Sequence, residues 1–183
     1  MDIDVKRVIE TQGDIQIFID FDNVSWKKLN GIGALPDTTI ASFYINSANP
    51  GRIQSREYSE LLSRYNGRHK EYVVSAGKNS VDFRIIYDAM ECVLNGNGKY
   101  IYIVSGDQGY DGAIEAMQNN YKDQFLAIKR CDNMNEVISD YNAMQITKCE
   151  DIKPFLDEIY GSYRSGFILQ RMKELYAYEE TKE

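Results

Sequence analysis

Histidine occurs once in this 183-residue chain, at His69, so acid–base schemes built on histidine are poorly supplied. Cysteine is also scarce. Cys92, Cys131 and Cys149 are odd in number and far apart, with no CxxC spacing, which argues against a disulfide framework or a zinc site and for a reducing cytoplasm. No apolar run approaches the roughly 18 to 20 residues that cross a bilayer. The amino-terminal stretch MDIDVKRVIETQGD mixes charges without an apolar core, so no secretory leader is expected. With only three prolines, 14 Tyr and 7 Phe, the chain is not of disordered composition. Its length fits one domain with a sizeable core.

Positive charge is in short supply. The net charge is −7, whereas phosphate backbones are gripped mainly by Lys and Arg. Casual nucleic-acid binding is therefore disfavoured unless a bound cation offsets some of the acids. The imbalance is uneven along the chain. Residues 51–70 carry Arg52, Arg56, Arg64, Arg68 and Lys70 against Glu57 and Glu60, either a phosphate track or a solvated helix face.

What the chain does have is alternation. Short, β-branched or aromatic apolar runs predict strands at Ile15–Asp20, Thr39–Ile45, Glu71–Ser75, Tyr100–Val104 and Gln124–Ile128. Helical spacing lies between them, over Arg52–Tyr65, Ser80–Leu94 and Gly109–Asn119. In the second of these, Ile85, Ile86, Ala89 and Val93 share a stripe. Strand–helix alternation of this kind implies a parallel sheet covered on both faces, an α/β fold. Beyond Asn133 the chain reads helical, with segments at Met134–Tyr141, Lys153–Tyr160 and Phe167–Tyr178, and with Gly161 and Gly166 as the break before the last. The expected organisation is one domain over residues 1–150 and a helical extension over 151–183.

In parallel sheets ligands sit beyond the carboxyl ends of the strands, and three such ends carry polar clusters. They are Asp20-Phe21-Asp22-Asn23, Gly77-Lys78-Asn79-Ser80-Val81-Asp82-Phe83 and Ser105-Gly106-Asp107-Gln108-Gly109-Tyr110-Asp111. Carboxylates brought within a few ångströms repel one another, and either one holds a proton or a cation sits among them. Mg²⁺ or Mn²⁺ suits an all-oxygen set and supplies phosphodiester hydrolysis without a nucleophilic side chain. Asp82 falls on the apolar stripe of its helix, where an unpaired carboxylate is costly; the plainer reading is a first-turn acid behind a Ser80 cap. Asp107 and Asp111 are four apart across a strand-to-helix turn. Asp88 lies about 120° round the helix from Asp82 and is read as supporting or solvent-facing. Asn23, Lys78, Asn79, Ser105, Arg52 and Arg56 are the candidates for contacting substrate.

Together these three motifs resemble the PIN-like superfamily, especially NYN-type and related bacterial domains. The matching segments are Ile19-Asp20-Phe21-Asp22-Asn23-Val24, Gly77 to Phe83 and Ser105 to Asp111, within a resemblance spanning roughly Ile15 to Arg130. The resemblance implies a three-layer sandwich with a mostly parallel sheet of about five strands. It also implies a Mg²⁺- or Mn²⁺-dependent ribonuclease acting on RNA, with Asp20, Asp82 and Asp107 as core acids and Asp22 and Asp111 assisting. One departure matters: many NYN-type domains carry an acid where this chain has Gly109, and Asp111 is the candidate substitute.

Two other readings stay open on sequence. Asp20-x-Asp22-x-Val24 with Gly106-Asp107-x-x-x-Asp111 also fits a haloacid-dehalogenase-like phosphatase, with Asp20 as nucleophile and Asp22 as acid–base. In that reading Asp82 has no role. The third reading is a catalytically inactive PIN-like binding module. The carboxy-terminal residues Phe167, Ile168, Met172, Leu175 and Tyr176 either cover a sheet face or form a surface for a homodimer or protein partner.

Overall fold

The computed structural model describes residues 15–145, 153, 156–157 and 161–170. Five strands form one parallel sheet: β1 (Ile15–Asp20), β2 (Ile40–Asn46), β3 (Arg68–Val74), β4 (Tyr100–Val104) and β5 (Ala127–Cys131). Their spatial order is β3-β2-β1-β4-β5. The chain winds outward from β1 to β3, crosses back to β4 beside β1, and continues to β5. The winding therefore reverses between β1 and β4, where a parallel sheet opens a crevice at its carboxyl edge. Ile19 pairs with Val104, so Asp20 and Ser105 emerge side by side at that crevice.

The central strands are buried along their length, as a sheet covered on both faces requires. Helices α2 (Ser80–Asn95) and α3 (Asp111–Tyr121) cover one face. Val81, Ile85, Ala89 and Val93 of α2 and Ile114 and Met117 of α3 pack there with Phe18, Tyr44, Ile101, Ile103 and Ile128. On the other face an aromatic cluster joins the sheet to α1 (Arg56–Leu62). Phe43 meets Phe21 and Tyr58 edge-on, at ring separations of 5.5 and 5.3 Å. Phe21 in turn stands edge-on to Trp26 at 4.5 Å. This cluster fixes the turn that carries Asp22.

The expected fold class is borne out: the sheet is parallel, five-stranded and sandwiched between helices. The differences are local. β3 starts at Arg68, three residues before the expected Glu71, and β5 covers Ala127–Cys131 in place of Gln124–Ile128. Both are edge strands, where charged residues such as Lys70, Lys129 and Arg130 are tolerated in the ladder, so apolar content misplaces their ends. The helix expected over Arg52–Tyr65 is shorter because Ser55 caps it, its Oγ accepting from Tyr58 N at 3.2 Å. The Met134 helix, α4, extends to Gln145.

The chain divides into two units, residues 1–139 and 140–183. In the second, residues 162–170 are helical and run through Gly166, which the sequence suggested as a breaker. A Cβ at Gly166 would meet nothing within 4 Å. Gly161 does act as a break, at a left-handed φ of 76°. Ser165 and Lys153 both hold Asp157, the lysine at 2.7 Å. Much of the expected Lys153–Tyr160 helix and the end of the Phe167–Tyr178 helix, with Met172, Leu175 and Tyr176, lie outside the described residues.

Phe43→Ala removes the ring on which the Phe21 turn rests. Urea denaturation should show a loss of about 3–5 kcal/mol, as for other buried Phe truncations. A loss below about 1 kcal/mol would mean that this cluster does not anchor the turn.

Candidate metal centre

Asp20 ends β1 and is fully buried. Its Oδ2 accepts from Asn23 Nδ2 at 2.7 Å, from Ser105 Oγ at 3.0 Å and lies 3.1 Å from the Tyr110 hydroxyl. Burying a carboxylate is tolerable only with partners of this kind. The same hydroxyl lies 2.9 Å from Asp82 Oδ1. Tyr110 has one hydroxyl hydrogen and cannot donate it to both carboxylates. One of the two contacts is then oxygen against oxygen, unless a carboxyl keeps a proton or a cation draws the oxygens together. Burial and the two acids raise the Tyr110 pKa, so the phenol stays protonated.

The Asp82 pKa is raised as well, first by desolvation and then by the charges of Asp20, Asp107 and Asp22, while the bond to Tyr110 opposes the rise. Four of the five acids singled out in the sequence are thus electrostatically coupled. Asp82, Asp107, Asn79, Phe83, Ile86, Gly109 and Tyr110 line a cavity of about 180 Å³. Asp22 stands on the turn after β1. Its Oδ2 accepts from Asn46 N at 2.9 Å, whereas Oδ1 is buried without a hydrogen-bond partner. A buried, orphaned carboxylate oxygen is costly in a finished structure and suits a cation ligand.

Several candidate substrate contacts have partners within the chain. Arg52 donates to the carbonyls of Asp22 and Val24 at 3.1 and 2.8 Å and lies 4.7 Å over the Phe21 ring. Arg56 pairs with Glu60 on the surface of α1. Asn23 holds Asp20. Ser105 also accepts from Asp107 N at 3.1 Å, which ties the β1 and β4 clusters together. Lys78 is exposed in the loop before α2, and Asn79, not the expected Ser80, occupies the N-cap position of that helix, without a side-chain capping bond. Asn79 sits at φ 59°, and among the described residues no other non-glycine has positive φ. Such strain gathers at functional sites.

Asp111 opens α3 and is not among the residues lining the cavity; its Oδ1 lies 2.8 Å from Arg130 Nε. Arg130 also bonds Asp132 and donates to Ser105 O at 3.1 Å. At Gly109 the backbone N–H caps Asp107 Oδ1 at 2.8 Å, and a Cβ there would lie 3.2 Å from that oxygen. Asp88, on α2, accepts from Tyr44 OH and Arg84 Nε at 2.8 and 2.9 Å. Three participants were not singled out from sequence. They are the Tyr110 hydroxyl, Arg130, and Lys28, whose Nζ would be 3.5 Å from a Cβ at Gly106.

The NYN domain family model matches residues 14–141. The chain belongs to the NYN domain family. This is a PIN-like nuclease family, and the match takes in all three acid clusters of the site. Comparison with curated proteins gives no match. A solved structure of a protein of unknown function from Vibrio parahaemolyticus is similar over 72% of this chain and 97% of its own, at 18% identity and a TM-score of 0.42.

Among the described residues of this NYN domain, no three His, Cys, Asp or Glu side chains are grouped closely enough to ligate one ion together. The donor chemistry nevertheless fits Mg²⁺ or Mn²⁺, which are commonly held by one or two carboxylates with waters completing the shell. Among the described residues no helix is long and apolar enough to cross a membrane. Cys92 and Cys131 are buried, and burial pushes the Cys92 thiol pKa up to about 12.

The raised Asp82 carboxyl has a signed consequence. Its folded pKa exceeds the unfolded one, so ionisation costs stability as pH rises through that interval, and the cost persists above it. In metal-free protein at pH 7, Asp82→Asn should therefore raise the thermal midpoint, with the advantage shrinking as pH falls towards about 4. A midpoint below wild type at pH 7 would show that the acids do not oppose one another.

Proposed function

We propose that this NYN domain is a divalent-metal-dependent endoribonuclease of a reducing cytoplasm. The observation carrying the proposal is the Tyr110 hydroxyl shared between Asp20 and Asp82, with Asp107 lining the same cavity as Asp82 and Asp22 Oδ1 buried without a hydrogen-bond partner. Asp22 with Asp82 or Asp107 would hold Mg²⁺ or Mn²⁺, waters completing the shell, with buried Asp20 behind them. When bound, the ion supplies charge stabilisation at a phosphoryl oxygen and an activated water.

The chain's own residues do the rest. Asn23, Ser105 and Tyr110 hold Asp20 rigid, and the Asn46 amide and Arg52 fix the Asp22 turn. Asp107 lines the cavity, exposed and anchored through Oδ1; in this reading it would take the proton of the attacking water. Lys78, in the exposed loop before α2, and Lys28, near Gly106, are the cations available to a substrate phosphate. Asp111 acts through Arg130 to brace the Ser105 loop, and so stabilises the site without ligating the ion. The catalytic unit in this reading lies within residues 1–150, with 151–183 an extension.

The phosphatase alternative needs Asp20 to attack phosphorus. Its full burial and the three groups around Oδ2 weigh against that role. Asp82 would also have no task there, although its charge is coupled to the other acids.

Labelled single-stranded RNA incubated with Mn²⁺, with Mg²⁺ or with EDTA tests the proposal. Cleavage should require the metal and fall at least about a hundredfold in Asp82→Asn and in Asp107→Asn, equivalent to roughly 3 kcal/mol of transition-state stabilisation. Cleavage that survives EDTA or both substitutions would refute it. Hydrolysis of p-nitrophenyl phosphate with RNA left intact would favour the phosphatase, and silence on both would favour the binding module.

A further inference from the structure

The outer surface of α2 carries large apolar rings where a solvated helix face would be polar. Phe83 is 69% exposed and Tyr87 61% exposed. Four residues apart, they lie one turn from each other on the same side of the helix. Phe83 also lines the acidic cavity next to Asp82 and Asp107, so the row of rings starts at the proposed reaction centre and leads away from it. Arg84 is fixed by Asp88 at 2.9 Å, with its guanidinium 5.3 Å from the Tyr72 ring centre and 6.0 Å from that of Tyr87. Tyr72 is itself stacked on Tyr44 at 4.8 Å, at an interplanar angle of 10°. Tyr87 is therefore backed by a braced stack and still largely open to solvent.

We infer that Phe83 and Tyr87 form a stacking platform for the bases of single-stranded RNA next to the scissile phosphate. This rests on the nuclease reading above and deepens it. The helical rise across four residues is about 6 Å, well beyond the roughly 3.4 Å between successive bases of one duplex strand, so the two rings suit an extended single strand. A net charge of −7 leaves little room for affinity through phosphate contacts, so stacking has to supply most of it. Exposed Lys78, in the loop leading into α2, supplies a local cation beside the row. Specificity for a particular base is not expected, because every base offers a π-face.

Fluorescence anisotropy of a short labelled oligoadenylate tests the inference. It is measured in Ca²⁺, with the strand's integrity checked on a gel, so that binding is read independently of cleavage. Phe83→Ala and Tyr87→Ala should each weaken binding about tenfold, Phe83→Trp should retain it, and Leu126→Ala, at an exposed residue before β5, should leave it unchanged. Thermal midpoints should stay at the wild-type value. Raising salt from about 50 to about 200 mM should weaken binding less than roughly threefold. Equal affinity of wild type and the double alanine variant would overturn the platform, as would failure of wild type to bind. A change of oligomeric state in the variants would overturn it in favour of self-association through this face. Cleavage that ignores both rings removes the platform and leaves the nuclease. Ring-dependent binding without metal-dependent cleavage does the reverse.

Discussion

Like charges gathered where the sheet reverses direction are the constraint on which the rest of this structure depends. Asp20 comes from β1, Asp107 from the loop after β4, Asp22 from the turn between β1 and β2, and Asp82 from the start of α2. Nothing in their mutual electrostatics favours this meeting. It is imposed by the packing of the sheet, whose central strands are wholly buried, and by the aromatic cluster of Phe21, Phe43, Tyr58 and Trp26 beneath the Asp22 turn. Hydrophobic burial holds together what charge would separate.

The neighbours of the acids show how that repulsion is contained. Asp20 is surrounded by donors, and Asp107 is held by the Gly109 amide. Tyr110 spans Asp20 and Asp82 with a single hydroxyl hydrogen, and Asp22 keeps one oxygen without a partner. The strain at Asn79 belongs to the same arrangement, because its left-handed backbone starts α2 in time for Asp82 to reach the cavity. A divalent cation would relieve several of these costs together, which is the physical argument for treating the cluster as a site rather than as a set of helix caps.

Much of this was legible in the sequence, for identifiable reasons. β1 and β4 are apolar runs that stop at polar residues, so Asp20 and Asp107 declared their positions at strand ends. Asp82 was visible as an acid on an apolar stripe. What could not be read depended on edge strands and on polar atoms of residues counted as apolar. β5 was placed three residues early, which left Arg130 outside any element and hid its pairing with Asp111. That acid had looked like a substitute for the one missing at Gly109. The Tyr110 ring registers as core, yet its hydroxyl links two of the acids. Arg52 looked like a free cation in a basic stretch, but its role depends on the carbonyls of Asp22 and Val24, which only the fold brings to it.

The most direct test of the central claim is a crystal grown or soaked with Mn²⁺ and measured at the manganese absorption edge. The account predicts an anomalous peak in the crevice between β1 and β4, within coordination distance of Asp22 and of Asp82 or Asp107. A peak elsewhere, or none there at a saturating Mn²⁺ concentration, would contradict it.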